Sequence, residues 1–144
     1  MRDTHIYLEE RQMPRATGSF QVKAWDESTY RELDGGGKLT LATVQFGLRG
    51  DLEGEGSVRW LMAYRADGSA HYTGLQHVTG SIAGREGGFV VETVGDFDGQ
   101  VAAGTWEIVP GTGTGALAGI SGKGSGRAPS GAEATYQLDY DLAG

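Results

Sequence analysis

The sequence contains no cysteine and has only three prolines and three histidines among its 144 residues. Without cysteine the chain can form neither a disulfide bond nor a thiolate metal site. The histidines, His5, His71 and His77, show neither the HxH nor the HExxH spacing that zinc sites use. The sequence therefore predicts no metal site, and no motif in it predicts a cofactor.

Positive charge and long apolar runs are also scarce. Twelve Lys and Arg stand against 19 Asp and Glu, which gives a formal net charge of -7. Binding nucleic acid through its phosphates needs clustered basic residues, so we expect no nucleic-acid partner. No run approaches membrane-spanning length, and the first residues lack the apolar segment of a secretory signal. We therefore expect a cytoplasmic protein with no membrane partner.

The residue in excess is glycine, with 26 copies, and it is densest in PGTGTGALAGISGKGSGRAPSG. A phosphate-binding loop would need glycine where Leu117 stands and serine or threonine where Gly124 stands. The dinucleotide fingerprint needs a following helix, which this composition cannot form. We therefore reject a phosphate cradle. The prediction is a short strand at residues 115–121 whose glycines allow tight turns and close backbone approach.

Short apolar or alternating segments, each ended by Gly or Asp-Gly, recur at intervals of about 10–15 residues, which is typical of an all-β sandwich or barrel. Eight antiparallel strands can close into a barrel without edges. The sequence thus predicts a single-domain, all-β, antiparallel eight-stranded β-barrel over residues 14–144. Residues 1–13 form an N-terminal arm or precede an alternative start. The predicted strands are 17–25, 39–48, 57–65, 70–79, 88–97, 100–109, 115–121 and 132–142.

The segment YRADGSAHY predicts a β-hairpin with a two-residue turn at residues 67–68. That turn places Tyr64 opposite His71. Because side chains alternate along a strand, His77 then shares the inner face with Tyr64, whereas Gln76 lies on the outer face.

A second hairpin is predicted at GDFDGQVA, with its turn at residues 98–99. This turn places Val91 opposite Trp106 on the inner face. Glu92 and Glu107 then lie on the outer face. A register error of one residue would turn both acids inward and make them candidates for acid–base chemistry.

These registers predict a lumen with apolar and aromatic walls. An eight-stranded barrel is either filled by such side chains or leaves room for one small ligand. Ligand pockets are mostly apolar with a few placed polar groups. The residues predicted to line the cavity and contact a ligand are Trp60, Met62, Phe89, Val91, Trp106 and Tyr140.

Four lumen residues are candidates for catalysis. A neutral imidazole in a dry cavity can act as a general base, and a phenol can donate a hydrogen bond or relay a proton. The candidates are Tyr64, His71, His77 and Tyr136. The alternative is that the histidines lie at a solvated barrel mouth and that the aromatic residues are ordinary core.

The segments GDLEGEGSVRWLMAYRADGSAHYTGLQHVTGSIAG, GREGGFVVETVGDFDG and WEIVPGTGTGALAGISGKG resemble a bacterial family known as a domain of unknown function. The resemblance covers residues 14–142. That family is similar in fold to the allene oxide cyclase barrel, which implies a small antiparallel barrel with a central cavity. Related barrels include cofactor-independent cyclases of plants and the bacterial spirotetronate cyclases. Family members often carry an acid where this chain has Gln76.

We therefore expect a cofactor-independent isomerase or cyclase that holds an apolar secondary-metabolite or lipid-like molecule in its lumen. Its acceleration would come from positioning the substrate and excluding water. The alternative is a lipocalin-like barrel that binds a small hydrophobic molecule without transforming it. A third hypothesis is a barrel filled by its aromatic residues, which acts through its surface as a homodimer.

Overall fold

The computed structural model describes residues 13–142, which form nine β-strands and no helix. Of the predicted arm at residues 1–13, all but Met13 lies outside the described residues. The strands are β1 (Arg15–Glu32), β2 (Lys38–Gly50), β3 (Leu52–Tyr64), β4 (Ala70–Ile82), β5 (Arg85–Phe97), β6 (Val101–Ile108), β7 (Thr114–Gly115), β8 (Ile120–Pro129) and β9 (Ala134–Leu142).

Eight of these strands close into a barrel in which neighbouring strands are antiparallel. Strands β1 to β6 pair in sequence order, β6 pairs with β8, β8 with β9, and β9 returns to β1. The two-residue β7 pairs with the start of β5. The predicted all-β, single-domain, antiparallel eight-stranded barrel is confirmed.

The glycine-rich stretch has two parts, and the predicted strand at 115–121 is wrong. Its first part, residues 110–119, crosses one end of the barrel, where Leu117 is fully buried and the Ala116 N–H donates to the Glu86 carbonyl at 2.8 Å. Its second part is β8, which pairs on both sides. A Cβ on Gly124 would overlap the carbonyl oxygen of Gln137 on β9, so glycine allows the close strand approach there.

The barrel has a closed end and an open end. The closed end lies under residues 110–119, and the interior beneath it is filled. The open end carries the β3–β4 and β5–β6 connections. The side chains that fill the closed half are fully buried, and they include Leu48, Leu52, Val78, Ile82, Phe89, Ile108, Leu117, Ile120 and Leu138.

At the open end, the second half of β1 projects beyond its pairing with β9. That pairing ends at Phe20, whereas the pairing with β2 continues to Glu32. A β-bulge between Val22 and Ala24 shifts the alternation, so that Trp25 lies opposite Val44 on the inner face. Beyond the bulge, the β1 side chains that regular alternation would place on the outer face therefore point into the barrel.

The predicted register of the β3–β4 hairpin is wrong by one residue. The Arg65 N–H donates to the Ser69 carbonyl at 2.7 Å, and the Gly68 N–H donates to the Arg65 carbonyl at 2.9 Å. Gly68 has a φ of +91° but Asp67 does not have a positive φ, a combination that is typical of a three-residue loop with a bulge and not of a two-residue type I′ turn. Tyr64 therefore lies opposite Ala70. An odd loop length exchanges the two faces of β4.

The predicted register of the β5–β6 hairpin is wrong by two residues, which leaves the faces unchanged. Val91 pairs with Ile108, because the turn residues are 99 and 100 and the Asp98 N–H bonds to the Val101 carbonyl at 3.1 Å. The Asp98 carboxylate accepts the N–H groups that follow it, so this residue precedes the turn.

The faces predicted for β5 and β6 are correct. Phe89, Val91 and Trp106 point inward and are buried, whereas Glu92 and Glu107 are exposed on the outer face. The alternation predicted for the last strand is also found, with Tyr136, Leu138 and Tyr140 buried.

Candidate functional site

The open half of the barrel contains a cavity of about 310 Å³, which we call the lumen cavity. Val22 and Trp25 of the projecting half of β1 lie at its mouth and are 49% and 47% exposed. Its aromatic walls come from Phe20, Phe46, Trp60, Tyr64, Tyr72, Phe97 and Trp106, and small residues of β6 and β8 complete it.

The ring of Trp60 is fixed in the wall by three neighbours. Its centroid lies 5.8 Å from that of Trp25 and 5.2 Å from that of Tyr72, in tilted arrangements that aromatic pairs favour. Its indole N–H donates to the hydroxyl of Thr93 at 2.8 Å. The wall is therefore rigid where β1, β3 and β4 meet.

Gln76 supplies the lumen cavity with a buried amide. It is 1% exposed, and its Nε2 atom has no hydrogen-bond partner among the described residues. The two-residue turn expected for β3–β4 places this side chain outside, so Gln76 was not among the residues predicted to line the lumen. The alternation of β4 identifies Gln76 as an inner residue once the loop length is known.

Glu27 of β1 forms the polar rim of the open end. Its carboxylate accepts hydrogen bonds from the hydroxyls of Thr40 at 2.6 Å and Tyr64 at 2.8 Å and from the indole of Trp25 at 3.0 Å. Burial raises the pKa of Glu27, but these hydrogen bonds and the charge of Lys38 bring the pKa below its ordinary value. Glu27 is therefore ionised at neutral pH. The predicted first strand ends at residue 25, so Glu27 was not among the predicted site residues either.

Tyr64 contributes its ring to the cavity wall and its hydroxyl to Glu27. The pKa of Tyr64 is raised to about 12, mainly by burial and to a smaller extent by the hydrogen bond to Glu27 and the charge of that carboxylate. The phenol is neutral at physiological pH, and its proton is directed at the carboxylate. A catalytic role for Tyr64 stays a prediction.

The predicted positions of His71 and His77 inside the barrel are wrong. Both point outward, because the odd length of the β3–β4 loop exchanges the faces of β4. The side chain of His71 is 48% exposed, and its Nδ1 lies 3.2 Å from Asp96. Hydrogen bonds with His71 and Arg65 lower the pKa of that aspartate. Neither histidine reaches the lumen cavity.

Tyr136 points into the barrel but away from the lumen cavity. Its hydroxyl accepts the N–H of Leu52 at 2.9 Å and lies 2.8 Å from the Leu52 carbonyl and 3.0 Å from that of Arg49. Burial raises the pKa of this phenol. Its ring stacks on Trp106, with centroids 5.7 Å apart and an interplanar angle of 11°. Tyr136 therefore holds the β2–β3 turn in place, and a catalytic role for it stays a prediction.

The structure divides the predicted cavity residues into two groups. Trp60, Met62 and Trp106 lie on the wall of the lumen cavity. Phe89, Val91 and Tyr140 are buried but do not line it. The barrel is thus filled in one half and hollow in the other.

A groove of about 660 Å³ lies on the outer surface, beside β1, β2 and β3. Its charged side chains have both signs, Lys23 and Arg49 against Glu53, Glu55 and Glu133, and all five are exposed. Solvent screens such groups, so they bind weakly. The lumen cavity is the better candidate site.

Among residues 13–142, no group of three or more His, Asp or Glu side chains is arranged to hold a metal ion. The same part of the chain contains no helix with the length and apolar character needed to cross a membrane.

The model of a family described as "Protein of unknown function (DUF3224)" matches residues 16–140. A crystal structure of a protein with unknown function from the same family, from Shewanella oneidensis MR-1, is similar to this chain with a TM-score of 0.80 and 29% sequence identity. The similarity covers 92% of this chain and 99% of that one. No curated protein matches the chain.

Proposed function

The chain belongs to the DUF3224 family, and we propose that it binds a small apolar molecule in its lumen cavity. The observation that carries this proposal is the contrast between the two halves of the barrel. Side chains fill the closed half, but about 310 Å³ of the open half stays hollow behind fixed aromatic walls. Small-molecule pockets start at about 300 Å³ and have this mainly apolar lining.

Exposed apolar side chains at the mouth support the same function. Val22 and Trp25 are about half exposed beside the entrance, where an apolar ligand would cover them. Apolar surface that is removed from water contributes about 25 cal/mol per Å² to binding, before the cost of association is subtracted.

The test uses the neutral fluorescent dye phenylnaphthylamine, whose emission rises in apolar surroundings. Ala102 lines the cavity, whereas Ala103, the next residue of β6, is exposed on the outer face. We expect the wild type and Ala103→Phe to bind the dye, and Ala102→Phe to bind it at least about tenfold more weakly because the ring fills the cavity. A wild type that does not bind, or equal binding by both variants, would reject the proposal.

A cofactor-independent isomerase or cyclase is the second candidate, and the Glu27–Tyr64 pair at the rim favours it. This pair brings an ionised carboxylate and a phenol to the edge of the cavity. An apolar chamber could accelerate a ring closure by positioning the substrate and excluding water, as the resemblance to the allene oxide cyclase barrel implies.

Mass spectrometry separates the two candidates. Polyene and epoxide compounds of secondary-metabolite or lipid-like type would be incubated with the wild type and with Tyr64→Phe. A product that forms with the wild type and is reduced in the variant supports catalysis. Compounds that are bound and returned unchanged support binding alone. The cytoplasmic location and the homodimer remain predictions from the sequence.

A further inference from the structure

The unpaired amide of Gln76 identifies the kind of ligand that the lumen cavity accepts. Leaving a buried N–H donor without a partner is unfavourable, and native proteins rarely do so without a reason. We propose that the ligand is a neutral, flat molecule with a carbonyl-type oxygen, which accepts a hydrogen bond from Nε2 of Gln76. This inference rests on the proposed function and specifies its ligand class.

The residues directly opposite Gln76 on the two neighbouring strands are apolar. Val58 on β3 and Val91 on β5 lie opposite it, and both are fully buried. The donors of Trp60 and Tyr64 in the same wall are directed at protein acceptors. Among the described side chains, Nε2 of Gln76 is the fully buried polar atom that has no hydrogen-bond partner.

The ligand is neutral because none of the described side chains that line the cavity is charged. Moving an ion from water into such surroundings is very unfavourable unless a counter-charge meets it. Glu27 lies at the rim, where three protein donors already occupy its carboxylate.

The ligand is flat because large rings form the walls. Trp60 packs against Tyr72, and Trp106 is held by its stack on Tyr136. Gly126 leaves the indole of Trp106 uncovered, since a Cβ there would stand 3.1 Å from the indole nitrogen. Rigid rings stack well on a planar conjugated molecule.

The experiment compares three compounds with the same ring system. Fluorene has no polar group, fluorenone carries a carbonyl oxygen, and fluorenol carries a hydroxyl. Each compound displaces phenylnaphthylamine from the wild type, and its Kd is obtained by competition. If the carbonyl oxygen of fluorenone accepts one hydrogen bond from the Gln76 amide, fluorenone should bind about tenfold more tightly than fluorene.

Two variants of Gln76 test whether its amide causes this preference. Gln76→Met keeps the length of the side chain without a donor, so fluorenone and fluorene should bind equally. Gln76→Glu should lose the preference where its carboxylate is ionised and regain it at acid pH, where the protonated acid donates. The control is Gln137→Met on the outer face of β9, which should keep the wild-type preference.

The outcomes separate the two proposals. If the dye does not bind the wild type, the proposed function itself fails. If the dye binds but fluorenone has no advantage, or if fluorenol binds more tightly than fluorenone, the ligand class is wrong and the binding function stands. A preference that survives in Gln76→Met would also overturn the inference. The wild-type comparison of fluorenone with fluorene and fluorenol tests the ligand class even if a Gln76 variant does not fold.

Discussion

The hydroxyl of Tyr64 donates a hydrogen bond of 2.8 Å to Oε2 of Glu27 and ties the projecting half of β1 to the end of β3. The hydroxyl of Thr40 on β2 donates to the same oxygen. Beyond Phe20, β1 has no partner strand on its other side in the described part of the chain. These side-chain bonds therefore help to hold β1 over the mouth of the lumen cavity.

Replacing Glu27 by glutamine should lower the free energy of unfolding by about 1 kcal/mol at about pH 7, because hydrogen bonds to an ionised carboxylate are stronger and solvent screens part of the effect. The folded-state pKa of Glu27 is lowered. Its stabilisation is present above the unfolded-state pKa and is lost as pH falls through the folded-state pKa.

Urea unfolding of the wild type and Glu27→Gln at about pH 7 and about pH 3 measures this difference. Asp26→Asn, at the exposed neighbouring position, is the control and should change the stability by less than about 0.5 kcal/mol. If the free energy of unfolding of Glu27→Gln is below that of the wild type by the same amount at both pH values, the carboxylate charge is not the cause of the stabilisation.

The phenol of Tyr64 should ionise at about pH 12, since its pKa is raised to about 12. The unfolded-state value is about 10. Its stabilisation is therefore complete below about pH 10 and is lost as pH rises towards the folded-state pKa. The change in ultraviolet absorbance with pH is measured for the wild type and for Tyr64→Phe, and the difference between the two titration curves reports the ionisation of Tyr64. A difference signal centred at the ordinary tyrosine value would contradict the Tyr64–Glu27 bond.

Replacing Tyr136 by phenylalanine should lower the free energy of unfolding by about 1–3 kcal/mol, because the Leu52 N–H then loses its acceptor. Dye binding should not change, since this hydroxyl faces the β2–β3 turn. Urea unfolding and dye titration measure the two effects. Tyr30→Phe, at an exposed position, should leave both unchanged. Loss of dye binding with unchanged stability would mean that the hydroxyl serves the cavity instead.

The variants His71→Ala and His77→Ala should bind phenylnaphthylamine within about twofold of the wild type, because both imidazoles lie on the outer face of β4. Dye titrations at neutral pH measure this. A loss of tenfold or more in either variant would support the register with a two-residue turn and contradict the structure.

The hydrophobic pattern was sufficient to predict the barrel, the last strand and the faces of β5 and β6. In these elements apolar side chains alternate regularly with polar ones, and alternation determines which face is buried. The two-residue error in the β5–β6 register did no harm, because a shift by an even number keeps every side chain on its face.

The β3–β4 hairpin shows what the pattern could not predict. The residues Ala66, Asp67 and Gly68 are compatible with a two-residue turn and with a three-residue loop that ends in a glycine of positive φ. Both faces of β4 contain apolar and polar side chains, so alternation did not choose between them. Because of this one-residue difference, the sequence predicted His77 in the lumen, whereas the structure places Gln76 there.

Two further features carry no clear signal in the sequence. A β-bulge in β1 turns Trp25 and Glu27 inward, but the composition of β1 does not indicate where this bulge occurs. The strand β8 has glycine at Gly122, Gly124 and Gly126 on its inner face, and glycine gives no side-chain alternation to detect.

The most direct test of ligand binding in the lumen cavity is a crystal structure of the protein with phenylnaphthylamine. We expect the naphthalene ring inside the open half of the barrel, in contact with Trp60 and Trp106. A dye molecule bound instead in the outer groove beside Lys23 and Glu53, with the lumen cavity unoccupied by it, would contradict the account.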